Sequence, residues 1–342
     1  MPPLPLLSGL LSGWILGVND SSPILGPAVG SKMLTYRTTA VCCALFLILG
    51  ALSGGQEPSQ TFASIGAPTV PMDVFLIALS AAVSVALMTL TKTPVSTVQA
   101  MAGALLGWGV VSGCPINRGA LLTAGLVWLV SPALSALLAV GLYKFIACSI
   151  KALHINIFKL DRMIRNALFL ACGFTSYALG ANNISGTMGI FLPLSPFSEL
   201  TLAGISISSA QQLYLVGGTV AAVGMVTWGR NLAEATGDGI FKSKASPVQT
   251  LVVVLTQGLV LCLFTSQGLS AYLTGHGLPA MPLVPLSGCQ SLIGAMMGLS
   301  LMKKGVGPSW RSVGKLTTRW LATPILSFLL TGLLVFACHA FM

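Results

Sequence analysis

Charge is what this sequence has least of. Only 7% of its 342 residues are Asp, Glu, Lys or Arg, and just 7 are acidic. A soluble domain is about a quarter charged. With 54% hydrophobic residues and a mean hydropathy of +0.89, the composition predicts a polytopic membrane protein instead, with the lipid bilayer as its surroundings. Histidine is almost as scarce. His154, His276 and His339 lie far apart in loops or the tail and form no metal or catalytic set. The eight cysteines show no CxxC spacing, and Cys42, Cys43, Cys172 and Cys262 sit in apolar runs, where a thiol packs as a small hydrophobe. No GxSxG, P-loop or HExxH occurs. Hydrolysis and ATP coupling therefore have no residues to carry them, and the chain is expected to be neither an enzyme nor a cofactor binder. The first residues have no basic region followed by a small-residue cleavage site, so no cleaved signal peptide is expected.

Basic residues outnumber acidic ones by 17 to 7. They stand in short loops, where they orient membrane segments, and imply no nucleic-acid partner. Apolar segments fall at about 4–30, 38–55, 72–93, 94–112, 119–147, 166–190, 209–227, 248–266, 283–302 and 317–341. The connections between them alternate in charge. Lys32 and Arg37 mark one, Glu57 alone the next, and Lys144, Lys151, Lys159, Arg162 and Arg165 a third. Arg230, Lys242 and Lys244 follow, then a stretch without Lys or Arg, then Lys303, Lys304, Arg311 and Lys315. With basic loops in the cytoplasm, both termini face outward; Lys92 and Arg118, near segment ends, fit this pattern least well. The expected location is the cytoplasmic membrane.

An internal repeat says more than the hydropathy does. PVSTVQAMAGALLG from Pro94 matches PLSGCQSLIGAMMG from Pro285 as PxSxxQxxxGAxxG, an offset of 191. GVNDSSPILG from Gly17 aligns with GANNISGTMG from Gly180, an offset of 163, and WLVSP at Trp128 with WLATP at Trp320. Each copy holds about five segments. An odd number makes the second copy enter from the opposite side, as the charge alternation independently requires. The expected fold is an all-α polytopic membrane protein of two inverted-topology repeats, with broken or re-entrant helices at the motifs. The first repeat covers residues 1–150, a basic cytoplasmic linker 151–165, and the second repeat 166–342.

Polar residues in these motifs are the candidate site. An ionised Asp at mid-bilayer costs roughly 2.5–3.5 kcal/mol even on a lenient scale, so Asp20 is expected to meet a cation, a proton or a partner. Capping of a helix that starts at Ser21 is the plainer alternative, and Pro23 suits that helix's first turn. A broken helix frees carbonyls for cations and amides for anions. Substrate contact is assigned to Asn19, Ser21, Ser22, Ser96, Thr97 and Gln99 in the first copy, and to Asn182, Asn183, Ser185, Ser287 and Gln290 in the second. Helix–helix glue is the competing role for the asparagines and serines. Coupling falls to Asp20, Asn19 and Asn182, with Asp20 the place for a sodium ion if sodium couples transport. GAxxG reads as close helix packing, and Arg230 and Glu234, four apart, as a helix-surface ion pair.

These residues resemble the inorganic phosphate transporter family, also called the phosphate permease or PiT family. GVNDSSPI at 17–24 and GANNISGT at 180–187 are similar to its repeated GANDVANA signature. PVSTVQ at 94–99 and PLSGCQ at 285–290 are similar to its PVSTTH-type motif, and GRNLAEATGDGI at 229–240 resembles a further segment of the family. The resemblance implies secondary uptake of inorganic phosphate, coupled to sodium or protons, with the motifs meeting at mid-membrane and Asn19, Asp20, Asn182, Ser96, Thr97 and Ser287 at the solute and ion sites. Two departures weigh on the coupling ion. The second-copy Asp is Asn183, and its hydroxyl pair is reduced to Ser287–Gly288. Some relatives of this kind are sulfate permeases, so sulfate or a similar oxyanion is the alternative substrate, and a passive anion channel the other. Retention of Asp20 favours phosphate, which carries a proton to donate where sulfate has none. A homodimer is compatible with this class.

Overall fold

A computed structural model of the chain describes residues 4–55, 58, 64–153, 156–202, 205–241, 246–302 and 310–341. Glu57, His154, Lys242, Lys244, Lys303 and Lys304 lie outside the described residues. In chain order the helices are α1 (Leu4–Asp20), α2 (Ser22–Gly30), α3 (Tyr36–Gly54), α4 (Pro71–Leu90), α5 (Thr97–Ser112) and α6 (Arg118–Leu153). Then come α7 (Ile157–Met188), α8 (Ser209–Thr227), α9 (Gly229–Phe241), α10 (Pro247–Leu263), α11 (Gln267–Gly275), α12 (Gly288–Met302) and α13 (Trp310–Phe341). A 3-10 turn (Gly189–Leu194) and a small antiparallel pair, β1 (Leu200–Leu202) with β2 (Ile205–Ile207), join α7 to α8.

Among the described residues four helices are long and apolar enough to cross a membrane, namely α3, α4, α6 and the Val313–Phe341 part of α13. Helices α10 and α11 together are apolar enough as well and meet at a bend of 63°, the form of a broken span or a re-entrant loop. The protein is an integral membrane protein of the cell membrane. Large apolar side chains on α6 (Leu122, Leu126, Leu129, Leu137) and α13 (Leu321, Ile325, Leu329, Leu333) are exposed at three- to eight-residue spacing, as lipid-facing surfaces are.

Local chemistry sets the helix ends. Ser208 with Gln211 and Ser246 with Gln249 form complete capping boxes at α8 and α10, and Pro247 occupies the first turn of α10. Gly113, at φ +69°, closes α5 in the left-handed region that suits glycine. The two signature segments end differently. In the first copy the helix stops at Asp20 and restarts at Ser22, with Pro23 in its first turn. In the second copy α7 runs without interruption through Asn182–Gly186 to Met188. Gly186 keeps its amide donor where a proline would lose it, so the helix passes through the motif and tightens to 3-10 only from Gly189.

Packing between the copies is reciprocal. A Cβ on Gly103 or Gly107 of α5 would fall on the carbonyl oxygens of Pro324 or Phe328 in α13, and one on Gly294 or Gly298 of α12 on those of Pro132 or Ala136 in α6. Each GAxxG helix thus lies backbone to backbone against the helix carrying the other copy's WLxxP motif. The same exchange occurs among the first helices. Gly17 meets Ala221 and Gly224 meets Trp14 between α1 and α8, while Gly180 meets Leu47 and Gly50 meets Tyr177 between α7 and α3. Small residues permit this approach, the usual basis of helix association in lipid.

Candidate functional site

The two PxS segments, irregular backbone that leads into α5 and α12, are held by the signature asparagines. Asn19 donates to the Val95 carbonyl at 2.6 Å and accepts from the Val95 amide at 3.2 Å. Asn182 acts similarly on the other segment, donating to the Val284 carbonyl at 3.3 Å and accepting from the Leu286 amide at 2.6 Å. Thr89 donates to Asn19 at 3.3 Å, and Asn182 donates to Thr265 at 2.9 Å. Both asparagines are fully buried. Their amides therefore fix the position of each motif segment. Asn19→Ala should leave the Val95 amide unpaired in the interior, the Val95 carbonyl with only the weak Cys289 thiol donor at 3.4 Å, and Asp20 Oδ1 without its Asn19 donor. The expected loss is roughly 3 kcal/mol, about two orphaned buried groups, seen as a lowered melting temperature in detergent. Ser22→Ala, which removes only the bond from Ser22 to the Asn19 carbonyl, should cost about 1 kcal/mol or less.

At the centre stands Asp20, 3% exposed. Its Oδ1 accepts from Asn19 Nδ2 at 2.6 Å, and its Oδ2 accepts from Thr97 Oγ1 at 2.6 Å and from Asn183 Nδ2 at 3.1 Å. The capping alternative for Asp20 is not what the structure has: Ser21 is the N-cap of α2 and makes no side-chain cap bond, while the carboxylate is taken up by Thr97 and Asn183. Asp20 and Asn183 occupy equivalent places in the two signatures, so the equivalent residues of the two copies meet each other. A second carboxylate at 183 would face Asp20 at hydrogen-bond distance. The amide turns that repulsion into a bond. Apart from Asp20 and Asp73, no charged side chain is buried among the described residues.

Hydroxyls divide into two kinds. Ser22 and Ser185 both donate to carbonyls three residues back, those of Asn19 and Asn182, each at 2.8 Å. Their hydrogens are spent locally, across the break between α1 and α2 for Ser22 and within α7 for Ser185. Ser96 and Ser287 instead accept from the Gln99 and Gln290 amides at 3.3 and 3.4 Å, as N-caps do. Such hydroxyls keep a hydrogen to offer an oxyanion, and the first-turn amides of α5 and α12 face the same region. Ser21 Oγ and the side-chain oxygens of Asn183 and Gln290 are buried without a hydrogen-bond partner.

The predicted residues thus separate. Asn19, Asp20, Thr97 and Asn183 are brought into direct contact. Ser96 and Ser287 cap α5 and α12, Gln99 and Gln290 stand in the first turns of those helices, Asn182 holds the second motif segment, and Ser22 and Ser185 bond locally. Arg230 and Glu234 form the expected ion pair at 2.7 Å on the exposed side of α9. The opposite side of α9 packs on α2, where a Cβ at Gly237 would come within 2.5 Å of the Gly26 carbonyl oxygen. Two features were not foreseen. Gln257 of α10 donates to the Gly288 carbonyl at 3.2 Å. Asp73 accepts from Trp108 Nε1 at 2.9 Å and lies 3.4 Å from His339 Nε2, giving one of the scattered histidines a partner. Among the described residues no group of His, Cys, Asp and Glu could hold a metal ion.

Two repeated motif pairs converging on a buried carboxylate, inside a helical membrane protein with interrupted spans, define a membrane transport protein. The chain belongs to the phosphate transporter family, whose model matches residues 16–274. It is 22% identical over 317 residues to the "Putative phosphate permease" of Methanocaldococcus jannaschii, covering 93% of this chain and 91% of that protein. Over 337 residues it is 25% identical to the sulfate permease CysP of Bacillus subtilis, covering 96% and 86%. Among solved structures it superimposes on "The sodium-dependent phosphate transporter" with a TM-score of 0.76, at 18% identity and 99% coverage of both chains. That likeness shows a shared fold. The family is one of transporters and not of enzymes.

Proposed function

We propose that the protein takes up inorganic phosphate across the cell membrane by symport with sodium or protons, alternating access around the site where the two motif pairs meet. The observation that carries this reading is Asp20, a single carboxylate buried between the two copies and held by Asn19, Thr97 and Asn183. A lone buried anion needs a cation or a proton to make it neutral, and the gradient of that ion is what a symporter uses. Asp20 is the residue to hold it; the hydroxyls of Ser96 and Ser287 and the first-turn amides of α5 and α12 are the groups to hold the oxyanion. Phosphate carries a hydrogen that the carboxylate can accept, whereas sulfate meets it as a bare anion. The reciprocal glycine packing supports reading the two copies as an inverted repeat that can exchange conformations, and the sodium-dependent relative in fold supports sodium as the first ion to try.

Sulfate is the second reading, favoured by the similarity to a sulfate permease over nearly the whole chain. The test is uptake of labelled phosphate into proteoliposomes under imposed sodium or proton gradients, with sulfate as competitor. Phosphate should accumulate against its gradient with one of the two ions. Accumulation of sulfate, with phosphate neither accumulating nor competing, would establish the second reading and discard the first.

A further inference from the structure

The two halves of the site are not chemically equivalent, and Gln257 explains how the second half is completed. The repeat pairs Thr97 with Gly288 and Asp20 with Asn183. In the first half the Thr97 hydroxyl lies 2.6 Å from the Asp20 carboxylate. In the second half both members are changed together, so neither hydroxyl nor carboxylate remains. The volume is not left empty. A Cβ on Gly288 would come within 2.9 Å of Gln257 Nε2, so the Gln257 amide occupies the room that a side chain at 288 would need. Gln257 lies in the apolar run of α10 and is fully buried.

The orientation of both amides is fixed by what their nitrogens touch. Asn183 Nδ2 donates to a carboxylate and Gln257 Nε2 to a backbone carbonyl; reversing either would set oxygen against oxygen. The opposite corner of each amide is consequently an oxygen. Asn183 Oδ1 and Gln257 Oε1 are both buried and without a hydrogen-bond partner. A buried acceptor without a donor is costly in a native protein and calls for an occupant. Donors are already present in both halves, at the hydroxyls of Ser96 and Ser287. What Asn183 and Gln257 add is acceptors.

We propose that Gln257 is a further substrate-recognition residue. With Asn183 it forms a neutral acceptor pair that takes the hydroxyl hydrogen of a protonated tetrahedral oxyanion and thereby selects phosphate-like over sulfate-like anions. The proposal rests on the oxyanion-uptake reading above. Sulfate and selenate have no hydrogen to give at neutral pH, whereas phosphate and arsenate do.

The experiment compares wild type, Gln257→Met and Gln257→Glu in proteoliposomes, scoring inhibition of phosphate uptake by arsenate, sulfate and selenate. Gln257→Met keeps the length of the side chain and removes the acceptor. Its ratio of sulfate to arsenate inhibition constants should fall about tenfold from the wild-type ratio, the loss of one hydrogen bond. Gln257→Glu, as a buried carboxylic acid whose hydroxyl replaces Nε2 as donor to the Gly288 carbonyl, keeps the acceptor oxygen and should continue to exclude sulfate and selenate. An unchanged ratio in Gln257→Met of wild-type elution profile overturns the proposal, and so does admission of sulfate by Gln257→Glu. A changed sodium requirement with unchanged anion ranking also overturns it, by placing a cation against these oxygens. Failure of the wild type to take up phosphate would strike the underlying reading instead, which separates the two.

Discussion

Asp20→Asn is expected to reduce gradient-driven uptake at least about a hundredfold while the protein still inserts and purifies as a monodisperse species. The carboxylate accepts on both oxygens, from Asn19 on one side and from Thr97 and Asn183 on the other. An amide in its place has one acceptor corner and one donor corner. Whichever way it turns, its NH2 group faces an amide NH2, that of Asn19 or that of Asn183. Hydrogen bonds to a charged group are worth about 1.5–3 kcal/mol, and every 1.4 kcal/mol is a factor of ten, so losing this group alone accounts for the size of the effect. On the proposed reading, the charge that would hold a coupling ion disappears as well. Downhill exchange of oxyanion should suffer less than concentrative uptake, because exchange needs only the hydroxyls and helix termini. Concentrative uptake at the wild-type rate by this variant would remove Asp20 from the coupling mechanism.

Much of this centre was legible in the chain. The pairing of Gly17 with Gly180 and of Pro94 with Pro285 located both copies of each motif, and the structure brings Asp20, Thr97 and Asn183 into contact. The pattern could not give the division of labour among the residues. Asn19 and Asn182 read as solute ligands because an asparagine in an apolar segment invites that role; whether its amide meets a solute or a neighbouring backbone depends on a segment 76 residues away in the first case and about a hundred in the second. Ser22 and Ser185 look equally available in sequence. Only the helical turn around each shows its hydrogen already committed three residues back.

Gln257 escaped for a different reason. It has no counterpart in a repeated motif, since it compensates for what one copy lost. Its signal was a single glutamine inside VVVLTQGLVL, a polar side chain among residues suited to lipid. The pair Asp73 and His339 was hidden by 266 residues of separation, which no local spacing rule can bridge. The uninterrupted course of α7 through GANNISG likewise turns on a contrast that similarity obscures: the first copy has a proline where the second keeps amide donors.

The glycines at the helix crossings supply the other large effect. Gly17→Ala should destabilise the protein by about 3 kcal/mol or more, at the upper end of what overpacking costs, and Gly180→Ala should do nearly the same. In each case the new methyl would fall on a carbonyl oxygen of the crossing helix, that of Ala221 or that of Leu47. Backbone cannot turn aside as a side chain can, so the whole helix must move. Gly125→Ala and Gly141→Ala, on α6, meet nothing within 4 Å. Alanine forms helix better than glycine by about 1 kcal/mol, so these two should leave stability unchanged or raise it. The measurement is the thermal midpoint of each purified variant in one detergent. Loss confined to Gly17→Ala and Gly180→Ala, and of similar size in both, is the outcome required if the two copies cross by the same contact. A large loss at only one of them would mean that a single crossing carries the fold, and that the resemblance between the copies does not extend to their energetics. The distinction bears on transport. Two crossings of equal strength can exchange roles between outward- and inward-facing states at little cost, whereas unequal ones would hold the protein in the state that favours the stronger.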